Sequence, residues 1–430
     1  MSDLKDDLHA PARTEAPADG RRLARLGLAA AMVSRLFGRL VGIVLVVVLA
    51  REAEPGTVAV YGYLLGTATL VTVFTDLGVA SVAGREVAAG RLPAGGALRA
   101  ALLPQLVSVL GAAALTVALS LLFGPGELPG SALALTVLFV VVSGINNLWA
   151  ELLRATGRVV LEGALQLGSA VALVAVGAVV VHTGGGVTAL LTVVALKEVA
   201  VLLLAVLVLR PSRRVVVRSR TLLRHGVWLA VAGTALILLW RQGTLVVGGT
   251  GSIAVLATYV VATRFLDAGV TVAHTAGFGL VPGMSALAAD PVAFRSAARR
   301  YLGLVTLVGL AVALAGQLLA GPVTTIPFGD QWDVAVPAVR WVAIAALPIL
   351  VCHVLFTVML ARGQVRRMAL AAVTGSVTGT ASTVLLMHLH PEATSGVVGT
   401  VVGAVVVLVL LLVSVRDLLL PAPAPERDPA

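Results

Sequence analysis

The sequence predicts an all-α polytopic membrane protein of about twelve transmembrane helices. Three observations carry that expectation. Of the 430 residues, 59% are hydrophobic and only 12% charged, with a mean hydropathy of +1.02, which excludes an ordinary soluble globular chain. Runs such as Leu40 to Ala50 and Val401 to Val413 are continuously apolar, whereas a transmembrane barrel would alternate every residue. Arginine is concentrated in every second connection between the apolar runs.

The chain opens on a polar tail over 1–23 that contains Asp3, Asp6, Asp7, Glu15 and Asp19. The apolar run behind it is too long for the core of a cleavable signal, so the first helix is expected to remain as an anchor. A crossing needs about 20 apolar residues. On that measure the spans of the first lobe, 24–209, fall near 24–50, 58–80, 97–123, 131–153, 159–181 and 187–209. A basic linker over 210–225 follows. The second lobe, 226–415, carries spans near 226–249, 253–287, 300–320, 335–361, 368–388 and 396–415, and a Pro-rich tail closes the chain over 416–430. The segment 253–287 exceeds one crossing and is expected to kink near Gly277 to Gly283 or to emerge from the bilayer.

Arg85, Arg91 and Arg99, then Arg154 and Arg158, the six arginines from Arg210 to Arg224, Arg295 to Arg300, and Arg362 to Arg367 all fall on one side. The other side holds Arg51 alone, among Glu52, Glu54, Glu127, Asp330, Asp333 and Glu392. Arginine-rich loops stay in the cytoplasm, so both termini are expected there, in a multi-pass protein of the cell membrane. The excess of 31 Lys+Arg over 21 Asp+Glu is thus topological, and no nucleic-acid partner is expected. The linker divides the spans six and six, and the halves echo one another: Arg39 and Arg241 each stand fifteen residues into a first helix. Tyr61 and Tyr259 each precede an ionisable residue, Asp76 and His274, by fifteen.

Catalysis is disfavoured by what is missing. Neither lysine, Lys5 nor Lys197, sits in a phosphate-cradling loop, and no zinc-protease or nucleophile-elbow pattern occurs. With Cys352 the single cysteine, no disulfide or thiolate cluster is expected, and neither cofactor nor metal is.

Ionisable residues within spans are costly, about 2.5–3.5 kcal/mol each at the bilayer centre on insertion scales, and so mark a cavity or a partner. Arg35 and Arg39 share a face of the first helix, and Arg39 and Arg241 lie near one depth. One arginine from each lobe suits an anion held between them, since guanidinium grips phosphate oxygens with two donors. Ion pairing between helices, for example Arg35 with Asp76, is the competing explanation. Arg264 and Asp267, spaced i, i+3, either neutralise one another or leave Asp267 to exchange a proton or cation. Lys197 is the one intramembrane lysine, and its neighbour Glu198 points about 100° away and needs its own partner. His274 and His353 suit packing better than proton relay. Asn146, Glu151 and Glu162 lie near cytoplasmic ends, where solvation or helix pairing suffices.

The segment Leu49 to Tyr61, with its Ala-Arg pair, Pro55-Gly56 and closing Tyr61, followed by Asp76-Leu77-Gly78 and Arg85-Glu86, resembles the start of the polysaccharide-export, or O-antigen-type, flippases. These belong to the multidrug/oligosaccharidyl-lipid/polysaccharide (MOP) superfamily. Leu152 to Arg158 and Tyr259 to Arg264 are similar to later segments of the same family. Glu52 to Gly56 departs from the usual Leu-Gly-Pro stretch, Val58 replaces an aromatic, and Arg241-Gln242-Gly243 lacks a customary acidic residue.

The resemblance implies two six-helix lobes around a central cavity, alternating access and a polyprenyl-diphosphate-linked saccharide as cargo. On the distribution of intramembrane charge, Arg35, Arg39, Lys197, Arg241 and Arg264 are the expected substrate contacts and Asp76, Asp267 and His274 the candidates for H+ or Na+ coupling. Expected partners are the lipid-linked anionic saccharide, the bilayer and polysaccharide assembly enzymes. A cation-coupled small-molecule exporter and a membrane glycan polymerase or transferase are the alternatives.

Overall fold

The computed structural model describes residues 37, 41–76, 78–126, 128–209, 227–287 and 290–419. Arg35, Arg39, the tail 1–23 and the linker 210–225 lie outside the described residues, as does the tail beyond 419. Helix α1 is described over 41–52. The first half continues with α2 (Pro55–Thr72), a 3₁₀ turn at Val73–Thr75, α3 (Val79–Ala88), α4 (Ala94–Phe123), α5 (Gly130–Ala155), α6 (Val159–His182) and α7 (Val187–Val208). After the linker come α8 (Val227–Thr250), α9 (Ile253–Leu287), α10 (Pro291–Phe328), a 3₁₀ turn at Asp330–Ala335, α11 (Val336–Ala361), α12 (Val365–Leu389), α13 (Ala393–Ser414) and the short α14 (Arg416–Leu419).

The described residues contain no strand, and eleven of their helices are long and apolar enough to cross a membrane. Those eleven coincide with the second to twelfth expected spans. Residues 41–52 supply the described part of the first.

Two expected spans need correction. The second does not run through to residue 80: it ends at Thr75, and a separate helix starts at Val79. Gly78 adopts φ 83°, a left-handed conformation that costs glycine little, and the Asp76 carboxylate accepts the Ala80 amide at 2.6 Å, capping α3. The break frees the Thr75 carbonyl within the protein, and buried Gln105 donates to it and to the Gly144 carbonyl, both at 2.8 Å. The ninth span is also longer than expected. α10 starts at Asp290, whose side chain accepts from the amides of Val292 and Ala293 at 3.0 Å, with Pro291 in the first turn where its missing N–H is harmless. Its 38 residues reach about 57 Å, so it overhangs or tilts in a ~30 Å hydrocarbon layer. Segment 253–287 is helical throughout.

α12 and α13 are expected to face lipid or to pack, and they pack on one another and on α8. Gly375 and Gly379 meet Gly399 and Gly403, the small-xxx-small pairing that lets helix backbones approach in a membrane. The spans that expose most of their surface are α10 and α6.

Contact between the halves runs mainly through α2, which lies against α8 and α9. A Cβ at Gly62 would sit 2.3 Å from Val260, and one at Gly66 would sit 2.7 Å from Thr244, so only glycine permits this approach. At the arginine-poor end, carbonyls left over at helix termini find donors across the halves. Gln331 and Trp332 donate to the Ala50 carbonyl at 2.7 and 2.9 Å. The Arg51 guanidinium donates to the Pro327 carbonyl at 2.5 Å and also to that of Ile326. The lone arginine of that side thus closes the end of α10.

Candidate functional site

A cavity of about 190 Å³ lies where α2, α5, α6 and α7 meet α8 and α9. Its walls are apolar at Leu65, Phe139, Leu173 and Val194, and its charged lining is Lys197, Arg241 and Arg264. Counted from the arginine-poor helix ends, Lys197 stands ten residues in, Arg241 nine and Arg264 eleven, hence about 14–17 Å deep, close to half of a hydrocarbon core. Three cations from three helices meet at one depth.

Each arrives with a carboxylate. Arg241 grips Asp267 in a fork, Nη2 to Oδ1 at 2.8 Å and Nη1 to Oδ2 at 3.2 Å. Arg264, one turn earlier on the same helix as Asp267, reaches Oδ2 at 3.3 Å and donates through Nε to the Val260 carbonyl at 3.2 Å. One carboxylate therefore serves two guanidiniums, both more than four-fifths buried. In the first half, Lys197 Nζ meets Glu198 Oε1 at 2.5 Å. The buried Asn146 of α5 donates to Glu198 Oε2 at 2.7 Å and to its backbone carbonyl at 3.0 Å. Among the described residues, three cations stand against two carboxylates, a formal excess of one positive charge at the cavity.

The structure thus brings Lys197, Arg241, Arg264 and Asp267 together. Asp76 stands apart, bound to the Ala80 amide and, at 3.4 Å, to Ser81. The side chain of His274 lies outside the described residues. His353 Nδ1 sits 2.8 Å from the Ile349 carbonyl, and Arg340 is exposed near the start of α11. Glu151 and Glu162 both pair with Arg154, the latter at 3.1 Å. Glu198 and Asn146 are the site residues that sequence reasoning left without a role. Adjacent residues on a helix point about 100° apart, but the long lysine stem closes that angle.

A family model described as polysaccharide biosynthesis protein matches residues 48–337, more than half of the chain. The chain belongs to this family. The match spans α2 to α10 in full and so includes every charged residue of the cavity. No curated protein sequence matches the chain. Among solved structures, it is similar to the inward-facing conformation of a multidrug resistance MATE family transporter of the MOP superfamily, with a TM-score of 0.70 and 16% identity over 92% of this chain and 98% of that one. It is similar to the lipid II flippase MurJ in an inward closed conformation, with a TM-score of 0.69 and 12% identity over 90% and 87%. A MOP superfamily transporter from Pyrococcus furiosus, described as having a binding pocket of reverse polarity, gives 0.62 and 14% over 94% and 99%. At these identities the fold is what is shared, and this family member has the MOP superfamily fold.

Proposed function

We propose that the protein is a flippase, and not an enzyme, that moves a polyprenyl-diphosphate-linked oligosaccharide from the cytoplasmic to the outer leaflet for cell-surface polysaccharide assembly. The observation that supports this reading is the cluster of Lys197, Arg241 and Arg264 around one apolar-walled cavity between the halves. A diphosphate is the part of such a lipid that needs cations inside a membrane, and two guanidiniums offer it paired donors. At about 190 Å³ the cavity lies below the ~300–1,000 Å³ of sites that bury drug-sized ligands. It has room for the charged head, and the saccharide enters as the halves part and re-close on the other side. The apolar tail stays in lipid.

Arg35 and Arg39, outside the described residues, are further candidates for contact with the anionic head. Asp267 is the coupling group nearest the cargo, able to pass between two arginines and a proton or Na+. Both termini and the basic linker are cytoplasmic, and the polysaccharide assembly enzymes act on the lipid before and after it crosses.

Depletion of the protein followed by lipid analysis tests this reading. A lipid-linked saccharide should accumulate in the cytoplasmic leaflet. Unchanged lipid pools together with altered tolerance of small toxic molecules would favour a MATE-like exporter instead.

A further inference from the structure

Lys197 is held by a carboxylate on its own helix and lines the cavity at the same time. An anion in the cavity competes with Glu198 for it. Once Lys197 turns to the cargo, Glu198 keeps only the amide of Asn146, in a setting where an uncompensated carboxylate is strongly disfavoured. Among the described residues, no other cation is free to replace the lysine. On the helices packed against α7, α2 carries no ionisable residue except its tyrosines, α5 carries Glu151 and Arg154 in its last turns, and α6 carries Glu162, bound to Arg154, and His182 at its exposed far end. Across the cavity, Arg241 and Arg264 are committed to Asp267 and to the incoming anion.

Asn146 holds Glu198 through its donor, which suits the carboxyl in either protonation state. Asn146 Oδ1 is buried and has no hydrogen-bond partner, whereas Nδ2 makes two bonds. With the carboxyl protonated at Oε1, the oxygen that Lys197 vacates, Oε2 goes on accepting from Nδ2 at 2.7 Å and the Glu198 backbone carbonyl from the same amide at 3.0 Å. We propose that Glu198, backed by Asn146, is a proton-binding site that fills when an anionic head draws Lys197 away, so that cargo binding takes up a proton in the first half of the molecule. This rests on the anionic-head reading of the cavity. The proton comes from the acid form of the solvent buffer, whose bond to it breaks as the carboxyl O–H forms.

The test uses full-length purified protein and farnesyl-diphosphate-linked N-acetylglucosamine, a diphosphate diester with no proton of its own to exchange near neutral pH. Titration calorimetry in buffers of different ionisation enthalpy should read an uptake of about one proton per ligand by the wild type, and Glu198→Gln should bind without that uptake. Should Glu198→Gln fail to fold, infrared difference spectra of wild-type protein carrying ¹³C-labelled glutamate should show an isotope-shifted carboxylic-acid carbonyl band on ligand addition. Binding by the wild type without proton uptake, uptake that persists in Glu198→Gln, or a band insensitive to the glutamate label would each overturn the assignment. Absence of any binding by the wild type would overturn the anionic-head reading itself, and this proposal with it.

Discussion

The two halves bring their cations to the cavity under different terms. In the first, Lys197 and its counter-charge Glu198 are neighbours on α7, so the pair is neutral and closed on itself, with Asn146 alone contributed from another helix. In the second, Asp267 on α9 is shared between Arg264 on the same helix and Arg241 on α8, so the group keeps one positive charge and also ties two helices together. A cluster of that kind attracts an anion before any bond is broken. A closed pair must first give up its partner. The second half is thus the standing anion site, and the first half responds to what binds there.

The largest effect is expected at Asp267, because it compensates two buried cations at once. Asp267→Asn strands both, and breaking a buried ion pair from one side costs about 3–5 kcal/mol. Thermal unfolding of the detergent-solubilised variant should register that loss, and Arg264→Gln with Asp267→Asn should recover part of it. An unchanged melting temperature for the single variant would mean that water, not Asp267, balances the arginines.

Next in size is Arg241→Ala. Asp267 keeps Arg264, so stability suffers less, whereas the cavity loses its net charge and its fork of donors. A charge-assisted hydrogen bond is worth about 1.5–3 kcal/mol, so transport in a leaflet-exchange assay should fall roughly 10- to 100-fold. Arg241→Lys should retain part of the activity, since it keeps the charge and loses the paired geometry. Equal transport by the alanine variant would move the anion site away from α8.

Lys197→Met probes the closed pair. It leaves Glu198 buried beside one amide, at a cost of about 1–3 kcal/mol for an unsatisfied group. Adding Glu198→Gln should restore the melting temperature without restoring transport, which separates the lysine's role toward cargo from its role toward its neighbour. Recovery of both would reduce the pair to a structural element.

How much of this arrangement could be read in advance depends on the range of the signal. Each span is written locally, as an apolar run with charge or glycine at its ends, and the expected spans from 97–123 onward, the ninth apart, coincide with helices for that reason. The break after Thr75 was hidden because Val79 to Val82 continues the apolar run. What ends the helix there is the Asp76 cap and the left-handed Gly78, both of which also occur inside longer helical patterns. The i, i+3 contact of Arg264 with Asp267 follows from helix geometry alone. Its junction with Arg241 depends on how α8 and α9 are rotated about their axes, and Gly62, Gly66, Val260 and Thr244 set that through contacts no single helix reveals. Glu198 was legible as a residue in need of a partner, but not that Lys197 would bend back to it or that Asn146 would cross from α5.

The smallest effect is expected where the same chemistry meets water. Glu86, near the end of α3, accepts two hydrogen bonds from Arg91 in the connection to α4, at 2.7 and 2.8 Å, outside the spans. Those hydrogen bonds, aided by the charges of Arg91 and Arg85, hold the Glu86 carboxyl below the ordinary carboxylate value against the opposing effect of burial. A depressed carboxylate stabilises the fold above its unfolded value and loses that contribution as the pH falls through its folded one. Glu86→Gln should therefore lower the melting temperature slightly at neutral pH, and the difference from wild type should vanish in acid. Because the Arg91 side chain is exposed and the pair lies outside the spans, high salt should weaken the effect even at neutral pH, whereas the cost of Asp267→Asn should persist in the same salt. A salt-insensitive Glu86, or an Asp267 whose loss salt makes good, would remove the physical basis for treating the cavity charges as sheltered from solvent.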